Sequence, residues 1–250
     1  THGSVMLYLN HIQTLTTHDD ADVRREAAEE LAQANTSQTN TSDAINALAL
    51  ALKDPNKGVR DAANRSLIAI GGIDVARAVV PHLKDTTISV RNLAAELLYR
   101  LGGDAAGAVE PYLRDDDQDV RKMAVDTLGL LRHKDAAAAI VPLLHDPDPN
   151  VVTSAVEALG NIGSEAAVPR LIQVYEQEEY TRAVVAEALG KIKGEQATEF
   201  LSKSFERAIE DNADPLTLFG IIEALGAIGD EKAFSLLAGH LPSVKGKLRR

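Results

Sequence analysis

Thr87-Ile88-Ser89-Val90-Arg91-Asn92-Leu93-Ala94-Ala95-Glu96-Leu97-Leu98-Tyr99-Arg100-Leu101-Gly102-Gly103 reads as one complete helix with both of its ends. Thr87 is of the residue types that cap a helix by accepting from backbone N–H groups of the first turn. From Val90 the apolar or small residues fall at 90, 94, 97, 98 and 101, which places them on one helical face. Gly102-Gly103 then stops the helix.

The same sentence recurs along the chain. Its words are Val-Arg, a small residue three positions on and a Leu seven positions on. It stands at Val23-Arg24, Val59-Arg60, Val90-Arg91 and Val120-Arg121, then in altered form at Val151-Val152, Thr181-Arg182 and Thr217-Leu218. The second residues of these pairs, at 24, 60, 91, 121, 152, 182 and 218, are spaced 36, 31, 30, 31, 30 and 36 apart. A near-constant period of this length marks a solenoid, in which each repeat buries its apolar face only against its neighbours. Asp20, Asn56, Asp117, Asp148 and Asp214 repeat the capping position, and Pro149 and Pro215 follow two of those caps where a missing N–H costs nothing.

A second helix fills each interval, as over 74–83, 105–113, 135–144, 165–174, 195–208 and 231–241. Pro81, Pro111, Pro142 and Pro169 lie within four of them and predict a recurrent bend. The first long interval holds the polar run Asn35–Ser42, which predicts an exposed mobile loop before a helix starting near Ser42 or Asp43. The expected architecture is an all-α α-α superhelix of about seven helix pairs plus a terminal helix. It forms one solenoid over residues 5–241, without an interior domain boundary. Thr1–Ser4 resembles a cloning scar, and residues 242–250 read as a basic C-terminal tail or a truncated repeat.

Composition limits the function. Hydrophobic residues make up 45% of the chain but aromatics only 4%, so the core is built from Ala, Leu, Val and Ile. A net charge of −11 disfavours nucleic acid and anionic membranes as partners and favours basic proteins. With no Cys there is no disulfide, thiolate metal site or Cys nucleophile. Neither a membrane span nor a signal-peptide layout stands out, so a cytoplasmic location is expected.

The words Leu159-Gly160-Asn161-Ile162-Gly163-Ser164-Glu165-Ala166-Ala167-Val168-Pro169 and Leu225-Gly226-Ala227-Ile228-Gly229-Asp230-Glu231, with Asp54-Pro55 through Val59-Arg60, resemble the microbial HEAT repeats of the phycobilisome-lyase type. The resemblance covers residues 5–241. It implies a right-handed superhelix of antiparallel helix pairs, with the Val-Arg helices lining the concave side. Repeats of this kind serve as adaptors in unrelated settings, so the resemblance fixes fold more than function.

Two columns of side chains arise from the period. The arginines Arg24, Arg60, Arg91, Arg121 and Arg182 are preceded six positions earlier by Asp54, Asp85, Asp115 and Glu176, and in the first copy by Asp19 at five. One reading is a phosphate track. The favoured one is a ladder of guanidinium–carboxylate and guanidinium–carbonyl bonds between adjacent repeats, because partly buried Arg is normally paired. Five positions after the anchors stand Glu29, Arg65, Glu96, Asp126, Glu157, Glu187 and Glu223, turned away from the Val/Ala/Leu face. On the concave side these would form an acidic stripe, with Lys122, and with apolar contacts from Leu93, Met123, Val184 and Phe219. Such a stripe fits a basic or amphipathic protein or peptide. The alternative is a solvated face of good helix formers.

Catalytic groups are scarce. The seven His show no i, i+4 pair and no His-Glu pair. The deoxyhypusine hydroxylases, a HEAT-repeat enzyme family, bind two irons through His-Glu pairs, and that reading is rejected here. The acids Asp115-Asp116-Asp117 and Asp146-Pro147-Asp148 read as caps and solvated turns. No metal, cofactor or catalytic residue is expected. The expected function is a non-catalytic protein–protein interaction scaffold. The alternative is a phycobilin lyase-like chromophore-handling enzyme or subunit, against which the aromatics stand, because most fall in helix-core register. Nucleic-acid binding comes third, since its groove would have to be basic.

Overall fold

The small and Leu positions of the recurring sentence are core positions, and in most copies the residue before the anchor is too. Val59, Ala63 and Leu67 are fully buried, as are Val120, Ala124 and Leu128, and Val151, Ala155 and Leu159. In the degenerate last copy Thr217, Ile221 and Leu225 are buried too. The computed structural model describes residues 2–33 and 41–247, with side chains over 5–33 and 41–240. All elements among the described residues are helical.

The first helices of the seven pairs are α1 (His2–Thr17), α3 (Thr41–Ala51), α5 (Gly72–Val79), α7 (Gly103–Val109), α9 (Ala137–Ile140), α11 (Val168–Gln177) and α13 (Glu195–Glu210). Their partners are α2 (Ala21–Gln33), α4 (Lys57–Ile70), α6 (Ile88–Leu101), α8 (Gln118–Leu131), α10 (Pro149–Ile162), α12 (Arg182–Ile192) and α14 (Pro215–Ile228), and α15 (Glu231–Lys247) is the last helix among the described residues. The fold class is the all-α, α-α superhelix type. Contacts gather into two compact units, residues 1–111 and 112–250. In the first, α2 packs on α4 and α4 on α6, around Leu31, Leu48, Leu67 and Leu97. In the second, α8, α10, α12 and α14 stack in sequence order, around Leu128, Ile140, Leu159, Leu171 and Phe205.

Several local expectations are refined. Asp20, Asn56, Asp117, Asp148 and Asp214 each accept from a first-turn N–H. Thr87 does not: it occupies the cap position without a side-chain cap bond, and its hydroxyl instead supports the Asp85 carboxylate. At Pro81, Pro111 and Pro142 the helix tightens into 3-10 geometry over Val80–Lys84, Glu110–Arg114 and Val141–His145. Pro169 is the exception. It sits in the first turn of α11, thirteen residues before its anchor instead of ten, where no helical hydrogen bond is lost. The helix after the polar run starts at Thr41, and the 35–40 part of that run lies outside the described residues. At the chain's ends, α1 already includes His2–Ser4 and α15 runs past Leu241 through Pro242 to Lys247. A proline removes one backbone donor but does not bar helical dihedrals to the residues beyond it.

The second unit contains close approaches that fix the spacing of its inner helices. A methyl group on Gly129 would stand 2.7 Å from Ala158 Cβ, one on Gly160 2.8 Å from Ala188 Cα, and one on Gly190 2.8 Å from Ala224 Cα. Each glycine follows the Leu of the repeated sentence, and each alanine precedes the Leu of the next copy. Backbones therefore meet directly along α8, α10, α12 and α14.

Candidate functional site

Two of the ladder arginines, Arg24 and Arg121, bond a carboxylate of the next repeat. Arg24 grips Asp54 with two parallel bonds, Nε to Oδ2 at 2.9 Å and Nη2 to Oδ1 at 3.0 Å, while Nη1 donates to the carbonyls of His18 and Asp19. Arg121 repeats this on Asp146 at 2.8 and 2.9 Å, with Nη1 on the carbonyls of Asp115 and Asp116. Each acid also accepts from a turn N–H, Asn56 for Asp54 and Asp148 for Asp146. Burial alone pushes both carboxyls up, but the guanidinium and the turn N–H outweigh it and hold them below the usual aspartate value.

The remaining rungs vary. Arg60 donates to the carbonyls of Asp54 and Pro55, while Asp85 is held by Lys53 at 2.6 Å, so a lysine from the preceding turn takes the place expected for Arg60. Asp146, read in the sequence only as a turn acid, is the partner of an arginine one repeat earlier. Its signal was its place six before the Val152 anchor, masked because Val152 has lost its own arginine. Arg182 has no carboxylate rung; it lies 5.9 Å over the Tyr175 ring and 3.7 Å from Glu179. Arg91 and Asp115 are both half-buried.

The stripe residues are solvent-facing. Glu29, Arg65, Glu96, Glu157, Glu187 and Glu223 are exposed and Asp126 is half-buried. Most are neutralised within the chain. Arg65 bridges to Glu29 at 3.1 Å, Arg100 to Glu96 at 3.2 Å, Lys122 to Asp126 at 2.7 Å and Lys191 to Glu187 at 2.8 Å. Glu157 and Glu223 form no ion pair among the described residues. Leu93 and Met123 are half-buried beside their helices.

In the second unit these residues converge. Glu157 of α10, Val184 and Glu187 of α12, and Phe219 and Glu223 of α14 line one open cavity of about 530 Å³. Leu216, which the sequence reading missed, joins them; it is 68% exposed and Phe219 is 50% exposed. Close packing makes the groove. Gly220 meets Ala183 backbone to backbone, with a methyl at Gly220 falling 3.3 Å from Ala183 Cα, so the larger neighbours rise as walls. Leu216 lies one helical turn before Gly220 on α14 and could have been found by extending the stripe N-terminally.

The aromatic side chains are not mostly in the core. Only Tyr8 and Phe205 are buried, whereas Tyr99, Tyr180, Phe219 and Phe234 are exposed. Helical register assigned them inward, but the interior is filled by Leu, Val and Ala at close spacing and leaves little room for rings. No three His, Asp or Glu residues gather as a metal site among the described residues. No helix among them is long and apolar enough to cross a membrane.

No curated protein matches the chain in sequence. Among solved structures, an engineered protein shares 20% identity, covering 96% of this chain and 76% of its own, with a TM-score of 0.45. The complex of CpcE and CpcF of phycocyanin lyase from Nostoc sp. PCC7120 shares 21%, covering 95% and 93%, at 0.40. A designed armadillo repeat protein in complex with the peptide (KR)4 shares 20%, covering 74% and 98%, at 0.40. None of these likenesses bears on what this chain binds. The sequence profile described as HEAT repeats matches residues 10–99, 108–182 and 177–250. Matched over nearly its whole length and built of stacked helix pairs throughout the described residues, this chain belongs to the HEAT-repeat family.

Proposed function

We propose that the protein is a non-catalytic interaction scaffold, a single array over residues 5–241, that holds a basic amphipathic segment of a protein partner in the α10–α12–α14 groove. One observation carries this. Two carboxylates without internal partners, Glu157 and Glu223, flank the exposed apolar side chains of Leu216 and Phe219 within one cavity. An apolar anchor of the partner would bury against Leu216, Phe219 and Val184, and Lys or Arg beside it would face the two glutamates. Binding energy gathers on a few anchor side chains that fill a pocket and are shielded from water by the contacts around them.

A fluorescently labelled amphipathic helix, with Leu at i and i+4 and Lys on the flanks, tests the proposal by anisotropy. The wild-type chain should bind it, and Phe219→Ala with Glu223→Lys should weaken binding at least tenfold at unchanged far-UV circular dichroism. Equal binding by both proteins, or no binding by the wild type, overturns the assignment of this groove.

A further inference from the structure

Two intact arginine rungs share a recipe: a guanidinium at the anchor, and a carboxylate six residues before the next anchor. Arg24 with Asp54 and Arg121 with Asp146 obey it. Two consecutive rungs in the second unit do not. Val152 stands at the fifth anchor, so Glu176, six before the anchor at 182, has no arginine to receive. Arg182 is present, but six before the next anchor is Asn212, in a left-handed turn residue with φ of 55° after the lengthened α13. A cation without its acid and an acid without its cation are thereby left side by side.

Both border the same cavity, of about 460 Å³, together with Arg207, Asp211, Tyr175 and Thr217. Arg182 has only weak substitutes for its rung, a 3.5 Å contact to the Tyr175 carbonyl and a 3.7 Å one to Glu179. Glu176, Arg207 and Asp211 form no ion pair among the described residues. The cavity therefore presents two guanidiniums, Arg182 held only by a long contact to Glu179 and Arg207 without an ion pair, together with two unpaired carboxylates and an aromatic face.

We propose that this cavity binds a small zwitterionic carboxylate of the amino-acid class. The ligand's carboxylate takes the place of the missing ladder aspartate on Arg182 and Arg207, and its ammonium faces Glu176 and Asp211. Planar two-bond recognition of a carboxylate is what guanidinium does at the intact rungs. The two acids turn away dianions such as inorganic phosphate and give the ammonium its counter-charge. Apolar parts of the ligand lie on the Tyr175 ring. This site is separate from the α10–α12–α14 groove, and its failure leaves the groove assignment standing.

Calorimetric titration of the 250-residue chain with a panel of L-amino acids, their carboxamides and inorganic phosphate is the test. At least one amino acid should bind, with its carboxamide tenfold or more weaker and phosphate weaker still. Arg182→Gln should reduce that affinity at least tenfold, and Glu176→Gln by several-fold, with circular dichroism unchanged. Should Arg182→Gln not fold, Arg207→Gln carries the same expectation, because that side chain is exposed. No binding by any amino acid overturns the proposal. So does binding that matches the carboxamide or phosphate, or that persists in the Arg variants.

Discussion

Arg121 and Asp146 join consecutive turns of the second unit by two parallel bonds, and their side chains are only 13% and 3% exposed. The pair is charged, nearly dry and completed by three backbone groups, the carbonyls of Asp115 and Asp116 and the N–H of Asp148. Removing one member of such a pair leaves the other charge buried alone. Asp146→Ala should destabilise the second unit by about 3–5 kcal/mol, read as a lowered urea midpoint. Arg121→Met combined with Asp146→Leu should recover much of that loss. A single variant as stable as wild type would show that the rung does not hold the repeats.

The same acids set the response to pH. Burial raises the carboxyls of Asp54 and Asp146, but their arginine and turn N–H bonds win and leave both lowered, while Asp85 is lowered chiefly by its bond from Lys53.

 A group whose folded pKa is depressed contributes stability above its unfolded value, and that contribution fades as pH falls through the folded value. The urea midpoint should therefore be level near neutrality and decline below the ordinary aspartate range. In Asp146→Asn the plateau should be lower and the acid decline shallower. Parallel curves for the two proteins would remove Asp146 from the acid response.

Lys193 ends α12 at φ 63° and ψ −151°, backbone space that is almost reserved for glycine. The same place in other repeats, eleven after the anchor, holds Gly71 and Gly102 at φ 65° and 69°. Lys193→Gly should raise stability by about 1 kcal/mol, the relieved strain exceeding the added freedom of the unfolded chain. Differential scanning calorimetry reads it as a higher Tm, and a fall in Tm would contradict the strain argument.

Gly160 and Gly226 occupy the same word of the repeat but opposite surroundings. A methyl at Gly160 meets Ala188 at 2.8 Å, whereas one at Gly226 finds nothing within 4 Å. Gly160→Ala should cost about 1–3 kcal/mol by forcing α10 from α12. Gly226→Ala should be stabilising by up to about 1 kcal/mol, through helix propensity alone. Equal effects in thermal melts would mean that the close approach is not limiting.

The repeat sentence made the helix faces legible, since Val59, Ala63 and Leu67 are inward in any helix of that register. Caps were legible wherever Asp or Asn stood at the position, and failed at Thr87, whose shorter hydroxyl turns to Asp85. Partnerships between repeats were harder to read. Whether Lys53 or Arg60 reaches Asp85 depends on how far a turn is displaced, which periodicity does not encode. The glycines after Leu128, Leu159 and Leu189 were equally opaque, because a helix stop and a close backbone contact call for the same residue type. At the groove, Glu157, Val184, Glu187, Phe219 and Glu223 were named by register. Leu216 was missed because it lies outside the window counted from each anchor.

Counting acids along the stripe overstates its field. Arg65, Arg100, Lys122 and Lys191 already answer four of its carboxylates, so an arriving cation must first evict a tethered rival at those places. Only Glu157 and Glu223 are open to it without competition. On the proposed function, affinity for basic segments should thus follow ionic strength as a divalent contact would, with discrimination between partners resting on the distance separating two cations and not on total charge.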